Sequence, residues 1–274
     1  MSSSPTGLGR EWLAVPREWL GGTGDIVGFS AEIVRDVWGG RVLHFFGESV
    51  RQAGILIVGS AVVIWGLVFI TGLGVCGIEG AYFNQSTGTP SYSGVFAAWC
   101  NLREAIPYAF GYMMSAKVGT GIVAELGAMR ISDEIDALEV MGVDSMTFLC
   151  ATRLLGAWMA LPFIYIAGVG FAYLASYLAI VKQLGFVSSG GYLQVFWEFQ
   201  NPGDYLFSLI KGMTMATTVV LVGCYYGYNA SGGPVGVGSA TAKSMVLNIV
   251  LVTLIGMFGS QVFWGGAPRA PIGG

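Results

Sequence analysis

The sequence of 274 residues predicts an all-α membrane protein: five transmembrane helices, an N-terminal amphipathic helix on the membrane interface, and a short cytoplasmic helix. Three observations carry this. Hydrophobic residues make up 54% of the chain and charged residues 11%, far from the balance of a soluble domain. The run from Gly54 to Val75 holds no charge and is long enough to cross about 30 Å of hydrocarbon at about 1.5 Å per residue. The six carboxylates between residues 124 and 145 cannot lie in hydrocarbon and so divide the apolar stretches on either side.

The elements follow in chain order. Residues 1–20 carry Arg10, Glu11, Arg17 and Glu18 and lack the apolar core of a signal peptide, so the N-terminus is expected in the cytoplasm. Between 25 and 50, Ile26, Phe29, Ile33 and Val37 share one helical face, with an interruption near Gly39 and Gly40. The first span, 54–75, is followed by a polar, turn-rich segment, 76–100, expected as an external loop. Cys76 and Cys100 bracket it, and in an oxidising compartment they are expected to form a disulfide worth about 3 kcal/mol; Cys150 and Cys224 are expected as free thiols.

The second span, about 105–124, places Gly111, Ser115 and Gly119 at four-residue intervals, a seam against which another helix can pack closely. Lys117 in the same span is either a functional intramembrane charge or a side chain snorkelling to a cytoplasmic interface within two turns. Apolar stretches at about 148–181, 205–228 and 241–264 complete five spans. The first of these exceeds one bilayer, so it is tilted, extended beyond the membrane, or broken near Pro162. Three divisions result: a cytoplasmic segment 1–52, a membrane domain 53–265 and an external tail 266–274. This topology puts Arg10, Arg17, Arg35, Arg41, Arg51, Lys117, Arg130, Arg153 and Lys243 inside and Arg103, Lys182, Lys211 and Arg269 outside, in accord with the positive-inside rule.

The acidic segment AELGAMRISDEIDALEVMGVDS spans 124–145 and predicts a short helix over 133–141. Ser132 is suited to cap it, Asp133 and Glu134 favour its first turn, and Gly142 suits a left-handed stop. Ile135 and Leu138 with Met141 or Ala137 form an apolar stripe, and Asp133, Asp136 and Glu139 line another side, a pattern suited to docking. The net charge of −3 and the absence of a basic, aromatic-interleaved cluster exclude nucleic acid as a partner. His44 stands alone, so neither a metal site nor a catalytic triad is expected. The GTGIVA match to a dinucleotide fingerprint at 119–124 lies inside a span and lacks the strand it needs.

The wording of this acidic segment resembles the signature of the MlaE/YrbE permeases of ABC-type lipid transporters, in which an AELG element precedes EIDAL and a glycine-led end. YYGYNASGGPVGVGSATAKSM, 225–245, resembles the loop between the last two spans of that family. ISDEIDALEVMG and GGPVGVG look closest to the B-type YrbE permeases of actinobacterial Mce systems. Ser145 departs from a frequent proline and Lys117 from a frequent arginine. The resemblance implies an inner-membrane permease that moves a fatty or mycolic acid, a sterol or a phospholipid, most simply as import. It implies a heterodimer with a homologous second permease, two copies of a cytoplasmic ATPase, and external Mce proteins forming a lipid tunnel. It also makes the acidic helix a coupling helix, with Glu125, Arg130, Asp133, Glu134, Asp136 and Glu139 at the ATPase contact.

With no GxxxxGK[ST] loop in the sequence, ATP and magnesium would be bound by the partner ATPase, and this chain is expected to be a transporter subunit rather than an enzyme. A membrane scaffold without transport is the alternative. An ion-coupled secondary transporter would show paired intramembrane carboxylates and an inverted repeat, and neither is present in the sequence.

Overall fold

The computed structural model describes residues 24–266 and is all-helical over them. Arg10, Arg17, Arg269 and the tail beyond 266 lie outside the described residues. Helix α1 covers 24–38, ends in a turn at Gly39 and at Gly40 (φ 76°), and leads through a short 3-10 turn into α2. Its predicted apolar face is the packed one: Ile33 is fully buried, and the Phe29 ring meets Tyr225 and Tyr228. Asp36 is buried on this helix too, held by Arg41 and by the Thr147 hydroxyl.

Among the described residues four helices are long and apolar enough to cross a membrane: α2 (Arg41–Ser86), α5 (Thr147–Leu184), α7 (Pro202–Tyr228) and α8 (Gly233–Trp264). Between α2 and α5 lie α3, helical without a break over 93–131, and the short α4 (Glu134–Val140). A further helix, α6 (Ser189–Glu198), precedes α7 and is capped by Ser188, whose Oγ accepts from the Gly191 N–H. α3 is less apolar than the four: Arg103, Glu104, Lys117 and Glu125 lie along it, and glycine, serine and tyrosine dilute the stretch between Glu104 and Glu125.

The expected external loop at 76–100 is corrected to a helical hairpin. α2 runs on through Ser86, a short connection containing Gly88 (φ 74°) follows, and α3 starts at residue 93. The polar side chains there satisfy themselves locally: Asn84 donates to Gly80 O and Asn101 to Ala97 O, so polarity does not break the helix. The disulfide between Cys76 and Cys100 ties the two arms together. Cys150 and Cys224 are buried free thiols.

Two further expectations sharpen or change. α5 passes unbroken through Pro162, which removes the break and leaves tilt or extension beyond the bilayer to account for its length. The glycine-rich GGPVGVG stretch is not a loop: α8 begins at Gly233 and Pro234 sits at its first turn, where a missing N–H costs nothing.

α2 and α5 lie against each other over most of their length because small residues permit it. A Cβ at Gly156 would meet Ser49 O at 2.7 Å, and one at Gly72 would meet Ala172 O at the same distance. Trp65 also donates from α2 to Ile164 O across this contact. α7 fills the other side, between α3, α5 and α8. α5 and α7 are thus central, while α2 and α8 expose apolar faces, for example Val58, Val62, Phe258 and Val262.

Candidate functional site

At one end of the bundle the chain reverses between α3 and α4 at Asp133, a non-glycine residue with positive φ (57°). The reversal changes the expected capping. Ser132 is the C-terminal cap of α3, its hydroxyl within reach of Ala128 O (3.0 Å) and Glu134 Oε1 (2.9 Å), and Asp133 takes the N-cap position of α4. The stop is as expected: Gly142 (φ 79°) closes α4, with Val143 N–H donating to Leu138 O and Gly142 N–H to Glu139 O.

Ile135 is fully buried and Leu138 packs against the main core, so this part of the apolar stripe is spent inside the chain. Asp133, Glu134, Asp136, Val140 and Met141 face outward, Val140 at 89% exposure. Arg130 bridges to Asp136 across the reversal. Glu139 differs from the other carboxylates. Its Oε1 accepts from Ser145 Oγ (2.7 Å) and from the Tyr228 hydroxyl (3.2 Å), and those two hydroxyls lie 2.8 Å apart. Asp144 accepts from the Thr147 N–H and hydroxyl, and the same hydroxyl reaches Asp36. One short acidic helix is therefore tied to the last turn of α7 at Tyr228, to the start of α5 and, through Thr147, to α1.

Glu125 does not join this surface. It sits on α3 above the reversal and pairs with Arg153 of α5 at 2.7 Å, with the Arg153 side chain only 5% exposed. Lys117 is exposed on α3, eight residues before Glu125, and the helix runs on to Ile131, fourteen residues beyond it, about 21 Å at about 1.5 Å per residue. Gly111, Ser115 and Gly119 lie where α3 crosses α7 and α8. A Cβ at Gly111 would fall 2.7 Å from Val252 Cγ1 and one at Gly119 3.0 Å from Val219 Cγ1, and Ser115 is fully buried.

The half of the bundle away from α4 holds a charge cluster that sequence reasoning missed. Arg103 of α3 pairs with Asp204 of α7 at 2.7 Å, and the Trp264 indole donates to the other carboxylate oxygen at 3.0 Å. Lys211, fully buried in α7, donates to Arg103 O (2.8 Å), Glu104 (3.0 Å) and Ser260 of α8 (2.7 Å). The Arg103 guanidinium lies 4.2 Å from the centre of the Trp99 ring. The partners are about a hundred positions apart, so only a pairing of opposite charges placed in different spans could have signalled the cluster. Beside it opens an aromatic-lined cavity of about 700 Å³, with Phe96, Trp99, Phe199 and Trp264 on its walls and Arg103 and Glu104 at its edge.

A bundle of long apolar helices with charge pairs inside it and an exposed acidic helix at one end is the architecture of a membrane protein of several spans. The chain belongs to the MlaE permease family, whose model matches residues 49–262. It is 30% identical over 162 residues to a probable ABC transporter permease protein of Rickettsia bellii, covering 59% of this chain and 62% of that one. It is 25% identical over 172 residues to a probable ABC transporter permease protein of a Synechocystis species, covering 62% and 65%. It is 25% identical over 169 residues to the chloroplastic protein trigalactosyldiacylglycerol 1 of Arabidopsis thaliana, covering 60% and 47%. The matched stretch thus spans less than two thirds of these relatives.

Proposed function

We propose that the chain is the permease subunit of an ABC-type lipid transporter, of the B-type YrbE kind in an Mce system. It moves a fatty or mycolic acid or a sterol across the inner membrane as import. α3 serves as the second of five spans, with its charges paired within the bundle, so that the N-terminus is cytoplasmic and the C-terminus external. The permease domain covers 53–265. ATP and magnesium are bound by a cytoplasmic ATPase dimer that docks on α4 through Asp133, Glu134 and Asp136, with Arg130 setting the position of Asp136. The exposed apolar face of α8, at Phe258 and Val262, suits a second, homologous permease, and the cavity beside Trp99 suits delivery of lipid from external Mce proteins.

The observation that carries this reading is the attachment of α4. A helix with an outward acidic face that is hydrogen-bonded through Glu139, Ser145 and Tyr228 to α7 and the start of α5 passes a push on that face into two central spans. Copurification tests it. The native chain is expected to bring down a nucleotide-binding subunit with ATPase activity, and Asp133→Lys with Glu134→Lys is expected to lower both yield and activity by an order of magnitude. Absence of any such subunit from the native preparation contradicts the reading and favours the scaffold.

A further inference from the structure

The cations on the packed faces of the bundle are matched by carboxylates, Arg103 by Asp204, Arg153 by Glu125 and Lys211 by Glu104. Lys117 on α3 differs: among the described residues no carboxylate lies within ion-pair distance of it. It borders a slot of about 230 Å³ between α2 and α3. Ile55 and Leu56 of α2 and Val118 and Ile122 of α3 make the slot apolar, and the Arg153–Glu125 pair lies at the end nearer α4. The slot is open because two glycines keep it so: nothing lies within 4 Å of a Cβ built at Gly59 or at Gly121.

The Lys117 side chain is exposed among apolar neighbours, an uncompensated ammonium costs several kcal/mol in hydrocarbon, and such charges mark ligand and ion paths. The lining carries two cationic side chains and one carboxylate, an excess of one positive charge, and the rest of it is apolar or neutral. We propose that this slot binds the headgroup of an anionic lipid, whose carboxylate or phosphate ion-pairs with Lys117. The slot is smaller than the roughly 300–1,000 Å³ that encloses a whole drug-sized ligand, so it takes the headgroup and leaves the acyl chain along the exposed α2 face at Val58 and Val62. The choice of a lipid rests on the permease reading. The charge of that lipid rests on Lys117 alone and selects against an uncharged sterol at this site.

The test uses the purified full chain without nucleotide, in phosphatidylcholine nanodiscs doped with oleate or phosphatidylglycerol, with retained lipid read by native mass spectrometry. Both anionic lipids are expected to be retained over phosphatidylcholine. Lys117→Gln is expected to lower that retention about tenfold and Lys117→Arg to keep it within about twofold. Gly121→Leu, which fills the slot from an open helical position, is expected to lower it as well. Inorganic phosphate at millimolar concentration is expected to leave the bound lipid in place. Equal retention of phosphatidylcholine, unchanged retention in Lys117→Gln, or displacement by free phosphate overturns the proposal. So does a Lys117→Gln variant that keeps its lipid but loses a copurifying second permease, which would make Lys117 a subunit contact. The ATPase plays no part in this readout, so failure of docking at α4 and failure of the lipid site are separable.

Discussion

The two ends of the bundle handle charge in opposite ways. At the end opposite α4, Asp204 and Lys211 are buried and Arg103 is nearly so, all paired within one chain, with Trp264 and Ser260 completing their hydrogen bonds. At the α4 end, Asp133, Glu134 and Asp136 face outward, and among the described residues only Asp136 of these pairs with a cation, the Arg130 side chain. The Arg103–Asp204–Lys211 cluster fixes α3, α7 and α8 relative to one another. α4 keeps its acidic face outward and anchors itself from behind, through Ile135 and Glu139. Charge closed inside a chain holds a structure, whereas charge left open at the end of two central spans offers a place to push.

Substitutions at the two ends should therefore differ in what they break. The largest effect is expected for Asp204→Ala, which removes the carboxylate from a largely buried ion pair and costs about 3 kcal/mol. It should appear as a steep fall in thermal stability in detergent, and a double variant that also removes Arg103 should recover part of it. Next is reduction of the Cys76–Cys100 bond, which closes a sequence separation of 24 residues and should cost about 3 kcal/mol, read as a lower melting temperature under reductant. Tyr228→Phe removes one hydroxyl from the Glu139–Ser145 contact and should cost about 1 kcal/mol while leaving ATPase docking intact. Its sharper readout is transport per ATP hydrolysed, expected to fall because α4 loses its tie to α7. Charge reversal at Asp133 and Glu134 should cost about 1 kcal/mol or less, since both are exposed but Asp133 holds a positive φ at the start of α4.

Much of the α4 end was legible because its signals are local. Gly142 is the residue a left-handed stop demands, and the Ile135 and Leu138 spacing located the packed face. The error at Ser132 has a local cause too, since serine is as able to close α3 as to open α4, and only the tight reversal at Asp133 decides between them. The hairpin at 76–100 was hidden because Asn84 and Asn101 bond to their own helices, which looks in sequence like loop polarity. The charge cluster at the other end was illegible for a different reason. Lys211 and Asp204 look like flanking charges of a span until Arg103 and Glu104, about a hundred residues earlier, are brought beside them. Lys117 was legible as a charge within a span, whereas the pairing of Glu125 was not, because nothing local reveals Arg153.

The central claim is that the outward face of α4 carries the contact with the ATPase. Cross-linking through a cysteine at Ala137, an exposed position on that helix, tests it most directly in the reconstituted complex, with Lys182→Cys at the other end as control. The account predicts an adduct between Ala137→Cys and the nucleotide-binding subunit whose yield changes with nucleotide, and none from Lys182→Cys. An ATPase that copurifies and hydrolyses ATP yet never cross-links at position 137 would contradict it.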